Sequence, residues 1–254
     1  MRRYKFLRDS FFAFFFMMGI IVFSKIKLHH IFGTNAKFSL LTMFGPCVEA
    51  FIGTGLSLVV ILGARFLQII IGISGAPNVF SYIIYLPIFF ASHWFGNLVK
   101  GMGKENKRSI KYLAVIPLGC MMLFILHPIG REVWYFSLFW LIPIIILMVS
   151  NYLEEKLMER EIILVYLYAL AATFVDHCVG SVLFLYFLRI PAVYWRIAIP
   201  YVPLERAVYA LGIAFFYLFI RKSVDALHTI VIIGFIQVQE REEEAIGEWV
   251  GGAS

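Results

Sequence analysis

Asp176 and His177 stand side by side near the middle of an otherwise uncharged run, Ile162 to Leu188. A carboxyl group can accept from a ligand amine or a ring nitrogen. An imidazole can donate to a carboxylate or relay a proton. Placing either group in a lipid-spanning helix costs about 2.5 kcal/mol or more unless it faces protein, water or a ligand. Adjacent helical positions point about 100° apart, so one of the pair can face a cavity while the other bonds a neighbouring helix.

The next charge that can reach Asp176 is Arg206, in Pro203-Leu204-Glu205-Arg206. Before it lies a stiff loop with Pro191, Pro200 and Pro203, in which Tyr194 and Trp195 form an aromatic cap. Pro203 and Glu205 suit the first turn of a helix. Glu49 and Arg65 are the only charges in the long run 38–75 and are equidistant from Ser57. A turn centred there brings them to one depth as an ion pair. The candidate substrate-binding set is therefore Asp176, His177, Arg206, Tyr194, Trp195 and Glu49. His29, His30 and Asn35 belong to a loop that can line an entrance, and His93-Trp94 reads as a satisfied histidine beside an interface anchor.

The elements that must carry these residues are helices in a bilayer. Of 254 residues, 61% are hydrophobic and only 15% charged, and the mean hydropathy is +0.86. Soluble domains are nearer 45–50% apolar with about 25% charged residues. Apolar runs fall at about 11–28, 38–75, 80–99, 112–128, 133–151, 162–188 and 203–220. A bilayer core of roughly 30 Å takes about 20 helical residues, so 38–75 is too long for one crossing. Gly53, Gly55 and Ser57 mark where it turns, which gives eight crossings. The basic start Arg2-Arg3-Tyr4-Lys5 before Phe11–Phe23 has no small-residue cleavage site after it, and reads as a retained first helix.

Lysine and arginine placement fits that count. With both termini cytoplasmic, the inner side holds fourteen of these residues, among them Lys100, Lys104, Lys107, Arg108 and Lys111; the outer side holds seven. A single crossing over 38–75 would put that five-charge loop outside, against the positive-inside rule. The expected fold is all-α, a multi-pass bundle of six to eight helices over 1–222 in the cell membrane, with a short cytoplasmic tail over 223–254. The tail combines a short apolar piece, Ile230–Ile236, with the acidic stretch Glu240–Glu248.

Several chemistries find no support. Cys47, Cys120 and Cys178 are scattered in apolar runs with no CxxC, as buried small hydrophobes. No HExxH, P-loop, DxxD cluster or GxSG with a partner histidine occurs. Glu154-Glu155-Lys156-Leu157-Met158-Glu159-Arg160 approaches the Glu-Glu-x-x-x-Arg pattern of CAAX-type intramembrane proteases, but its arginine is one residue late. No basic stripe carries stacking aromatics for nucleic acid. The charge of +6 points to orientation and anionic lipid. The expectation is a non-enzyme without metal or cofactor.

The chain resembles the substrate-binding S components of energy-coupling factor vitamin transporters. The resemblance rests on Phe44-Gly45-Pro46-Cys47-Val48-Glu49-Ala50-Phe51-Ile52-Gly53-Thr54-Gly55, on Ala171-Ala172-Thr173-Phe174-Val175-Asp176-His177, and on Pro203-Leu204-Glu205-Arg206-Ala207. It covers roughly 38–222. It implies a small helical bundle with a cavity near the outer face, a small vitamin-like solute, a coupling membrane subunit and two cytoplasmic ATPases. The chain departs from the family in lacking an AxxxA patch on the first helix, while Ala210-Leu211-Gly212-Ile213-Ala214 supplies that spacing on the last. The Met-His start of the metal-importing members is absent, so metal uptake is not expected. Two other readings fit the same residues: a non-enzymatic membrane assembly protein using its small-residue helices and acidic tail, and an intramembrane enzyme built on Asp176-His177.

Overall fold

The computed structural model describes residues 2–30, 33, 37–72, 78–103 and 110–251, with backbone alone for 2–5, 228 and 230–251. Almost every described residue is helical. Helix α1 (Arg2–Phe23) is followed by a two-stranded antiparallel hairpin, β1 (Lys27–His30) and β2 (Lys37–Ser39). Asn35 lies outside the described residues. Helices α2 (Leu41–Phe44) and α3 (Val48–Ile52) are joined by a 3₁₀ turn over Gly45–Cys47 that carries Pro46. The α2–α3 segment runs antiparallel to α1. The Leu40 N–H bonds the Ile26 carbonyl at 2.9 Å at the hairpin end, while Phe51 stacks on Phe12 and Phe16 further along.

Gly53 ends that segment with φ +80°, a backbone conformation glycine adopts without steric cost. Helix α4 (Thr54–Ile70) then returns, and the Gln68 side chain donates to Ser24 Oγ at 2.8 Å, beside the end of α1. The break expected in 38–75 is present, but at Gly53 rather than at Ser57. Four residues of displacement change which side chains face one another. Glu49 and Ser57 are equidistant from Gly53, and Ser57 Oγ contacts the Glu49 carboxylate at 3.4 Å. Arg65 is carried toward the hairpin end, where its Nε donates to the Ser81 carbonyl at 2.5 Å and its Nη1 to Gln68 at 3.4 Å. The expected Glu49–Arg65 ion pair is absent among the described residues.

Helix α5 (Val79–Ile83), opened by a capping box between Asn78 and Ser81, leads into α6 (Leu86–Gly101). Then come α7 (Val115–Leu126), α8 (Pro128–Glu132), a 3₁₀ stretch over Trp134–Trp140, α9 (Leu141–Met148) and α10 (Ser150–Leu157). Helix α11 (Glu161–Leu188) is central, packed on α6, α7 and α9. Over 171–181 it is buried on nearly all sides rather than along one stripe, as a helix enclosed by others must be. Beyond it, α12 (Ala192–Ala198) precedes α13 (Tyr201–Gly251). The aromatic core lies where Phe124, Phe136, Trp140 and Trp195 meet edge to face or stacked at 5.0–5.9 Å. Trp94, expected as an interface anchor, is instead fully buried.

Among the described residues, four helices are long and apolar enough to cross a membrane: Phe6–Phe23, Val79–Gly101, Ser150–Leu188 and Tyr201–Leu227. Four shorter apolar helices accompany them: Leu41–Ile52, Thr54–Ile70, Lys111–Leu126 and Trp134–Met148. The architecture is all-α apart from the hairpin, and is compatible with a membrane protein. Two compact units are distinguished, Met1–Ala214 and Phe215–Ser254. The second is helical through Gly251, so the compositional boundary at 222/223 coincides with no helix end.

Candidate functional site

A cavity of about 400 Å³ opens within the first unit, a size typical of pockets for small molecules. Its walls come from the hairpin, from α2, α4 and α6, from α11, and from α12 and the start of α13. Asp176 and His177 both line it, on α11, together with Gly180 and Ser181 one turn further on. His177 lies eleven residues before the end of α11, about 16 Å along the helix axis at 1.5 Å per residue. The cavity therefore runs deep beside α11.

Arg206 stands just behind the wall with no exposed surface. Its Nη1 donates to Asp176 Oδ2 at 3.3 Å and to the Thr173 carbonyl at 3.4 Å, and its Nη2 pairs with Glu205. The guanidinium also sits over the rings of Phe38 and Tyr209, at 5.2 and 4.7 Å from their centroids. A charge so thoroughly removed from water is tolerable only because two carboxylates and two ring faces surround it. Arg206 thus holds Asp176 and is not itself among the side chains lining the cavity.

His177 is held from the other side. The Trp140 indole N–H donates to His177 Nδ1 at 3.1 Å, which leaves its remaining ring nitrogen as the one that carries a proton in the neutral form. Trp140→Phe removes that donor and part of a fully buried ring packed on Phe124, and is expected to cost about 2–3 kcal/mol, read as a lowered unfolding temperature in detergent.

Tyr194 and Trp195 both reach the cavity wall. Trp195 is also a core residue: its Nε1 donates to the Ile190 carbonyl at 3.0 Å and its ring meets Phe124 and Phe136. Tyr194 lies under the hairpin turn, where a Cβ placed on Gly33 (φ +74°) would stand 2.7 Å from its ring. That turn needs a glycine both for its dihedral and for the tyrosine against it.

The loop expected to line an entrance is a strand hairpin. It brings Lys27, His30 and Lys37 to the cavity, with Lys25 just before it. It is fastened to α13 through His29, whose Nε2 lies 3.1 Å from Glu205 and whose Nδ1 lies 3.3 Å from the Tyr209 hydroxyl. Burial, then the nearby Arg206 and His30, hold His29 below the ordinary imidazole range. Nε2 faces a carboxylate, so its proton is the one donated to Glu205, and Nδ1 lies within reach of the Tyr209 hydroxyl.

Glu49 is not brought to this cavity. It is fully buried near the Gly53 turn and forms a second polar centre with α6. Its carboxylate accepts from Thr54 Oγ1 at 2.6 Å, from Asn97 Nδ2 at 3.2 Å and from His93 Nδ1 at 3.0 Å. His93 is thus satisfied, as expected, but by a partner the sequence reading had assigned to Arg65. Glu154 makes a third polar tie, accepting from the Tyr168 hydroxyl at 2.7 Å and the Gly103 N–H at 3.3 Å. Among the described residues no cluster of three or more His, Cys, Asp or Glu side chains could hold a metal. The three cysteines are free and buried.

The described residues form a helical bundle with a deep cavity, a carboxylate–imidazole pair in its wall and a cationic hairpin at its rim. Scans against protein-family models, the curated proteins and the solved structures found no match for this chain.

Proposed function

We propose that this chain is a multi-pass protein of the cell membrane that captures a small solute in the cavity beside α11. The observation carrying this reading is that cavity itself: about 400 Å³ of space reaching an Asp–His pair within an otherwise apolar helix. An ionisable pair in such a helix that faces a hollow reads as a functional site. Asp176 and His177 orient the solute, Tyr194 and Trp195 close over it, and Arg206 fixes Asp176.

The succession of helix contacts supports eight passes, and the lysine and arginine count favours cytoplasmic termini. α1 and α4 meet at the hairpin end through Ser24 and Gln68. α6 starts there, with the Tyr85 hydroxyl donating to Gln68 at 2.9 Å, and reaches Glu49 at the other end. α11 starts beside Glu154, through Tyr168, and ends near α7, where the Tyr186 hydroxyl donates to the Leu123 carbonyl. The sequence carries no nucleotide-binding motif, so energy for uptake would come from a coupling membrane subunit and cytoplasmic ATPases, as the resemblance to the S components implies.

The test is mass spectrometry of small molecules retained by the purified full-length chain. Wild type is expected to carry a solute, and Asp176→Asn, which keeps the side-chain volume but takes one carboxylate from the buried Arg206, to lose at least about 90% of it per folded molecule and to unfold at a lower temperature. Equal retention by the two proteins would refute a role for Asp176. An empty wild-type protein that co-isolates with stable membrane subunits would favour the assembly reading instead.

A further inference from the structure

The rim of the cavity gathers cations. Lys25, Lys27, Lys37 and Arg65 line it together with only two carboxylates, Asp176 and Glu205. Both carboxylates face Arg206. Leaving Lys25 aside and counting Arg206, four cations (Lys27, Lys37, Arg65 and Arg206) meet two carboxylates, a formal surplus of two positive charges around one hollow. Burial and the neighbouring Lys25, Arg65 and Lys37 pull Lys27 below the ordinary lysine range, so the cations share one space and repel. A cleft lined by one sign of charge with low-dielectric walls concentrates the opposite charge. The lining also holds apolar side chains, among them Phe136, Phe184, Ile190 and Trp195.

We propose that the cavity takes an amphipathic organic anion, its carboxylate or phosphate held at the rim by Lys27, Lys37 and Arg65. Its unsaturated body lies against Phe136 and Trp195, with a hydrogen-bonding group at Asp176 and His177. This deepens the capture reading and rests on it. Arg65 is aimed by its bond to the Ser81 carbonyl and by Gln68. The two lysines come from the hairpin, Lys27 anchored at 2.6 Å to the Ser24 carbonyl. The three arrive from different elements, so the recognition is built by the fold and not by a local run of charge.

The experiment uses the full chain in nanodiscs of zwitterionic phosphatidylcholine and calorimetric titration with matched probes. These are 1-naphthoate against 1-naphthamide, and 1-naphthyl phosphate against 1-naphthol. At least one anion is expected to bind about tenfold or more tighter than its neutral partner. The double variant Lys27→Gln/Lys37→Gln, at two solvent-exposed positions, is expected to remove most of that difference while the neutral probe is unaffected. Which anion gains more assigns carboxylate or phosphate. Loss of anion binding when phosphatidylglycerol replaces phosphatidylcholine supports the anion chemistry and identifies a lipid headgroup as its source. Equal affinity of anion and neutral partner overturns this inference and leaves the capture reading standing. Binding of neither probe also overturns it, and the retained-solute measurement on Asp176→Asn then decides the capture reading separately.

Discussion

Arg206→Ala is expected to destabilise the folded chain by about 3–5 kcal/mol, the cost of breaking a buried ion pair from one side. The wild-type guanidinium has no exposed surface and is shared between Asp176 and Glu205. Its removal strands Asp176 in a stretch of helix buried on nearly all sides and strips the cation from the faces of Phe38 and Tyr209. Glu205 keeps only His29 among its hydrogen-bond partners described here, at 3.1 Å. The hairpin should therefore loosen as the bundle weakens. Arg206→Lys is expected to fall between the two proteins, because a compact ammonium cannot fork to two carboxylates and lie flat on two rings. Asp176→Leu/Arg206→Met, which replaces both charges by apolar side chains, should recover much of the loss. Buried pairs exchanged as a unit are often nearly neutral. Denaturant or thermal unfolding in detergent orders the four proteins. Equal stability of Arg206→Ala and wild type would mean that the bridge ties nothing together.

What could be read before the structure follows the depth of each charge in apolar sequence. Asp176 and His177 announced themselves because one charged residue interrupts Ile162–Leu188, and Arg206 because it opens the last apolar run. Both landed at the cavity or against its wall. The bend in 38–75 was legible from its glycines, but its centre was not. Gly53, Gly55 and Ser57 are all compatible with a turn, and only the +80° dihedral at Gly53 selects one. That shift of four residues exchanged Arg65 for Ser57 opposite Glu49. The hairpin over 27–39 was invisible for a different reason. Its strands are four and three residues long and mostly polar, so no period-two pattern of burial marks them. What fixes them is tertiary: Gly33 on Tyr194, and His29 between Glu205 and Tyr209. The rim cations were therefore counted toward orientation, not toward a ligand. Lys104, Lys107 and Arg108, and the acidic side chains of Glu240–Glu248, fall outside the side chains described, so the inner loop and the tail keep their sequence reading.

Glu49→Ala should be the second large effect, about 2–4 kcal/mol, from a lost acceptor and the void left behind. The carboxylate is 1% exposed and joins the α3–α4 turn to α6, because Thr54 and Ser57 approach from one side and His93 and Asn97 from the other. The approach is close. A Cβ on Gly96 would stand 2.8 Å from Glu49 Cγ and 3.1 Å from the Ala50 nitrogen, so α6 presents no side chain where α3 crosses it. Not every donor is stranded by the change. Asn97 keeps the His93 carbonyl at 2.7 Å and Ser57 keeps the Thr54 carbonyl at 2.8 Å. The largest burden falls on His93, whose Nδ1 loses both carboxylate oxygens while its Nε2 keeps a 3.5 Å contact with the Tyr112 hydroxyl. Glu49→Gln is expected to cost less, about 1–2 kcal/mol. The amide fills the space and still offers one acceptor, but turns an NH₂ toward a neighbour that also donates. Because Glu49 lies outside the cavity wall, neither substitution should change retained solute per folded molecule. A loss of solute out of proportion to unfolding in Glu49→Gln would show that the two polar centres are coupled through α6, which touches the cavity at Pro87 and Ile88 and Glu49 at His93.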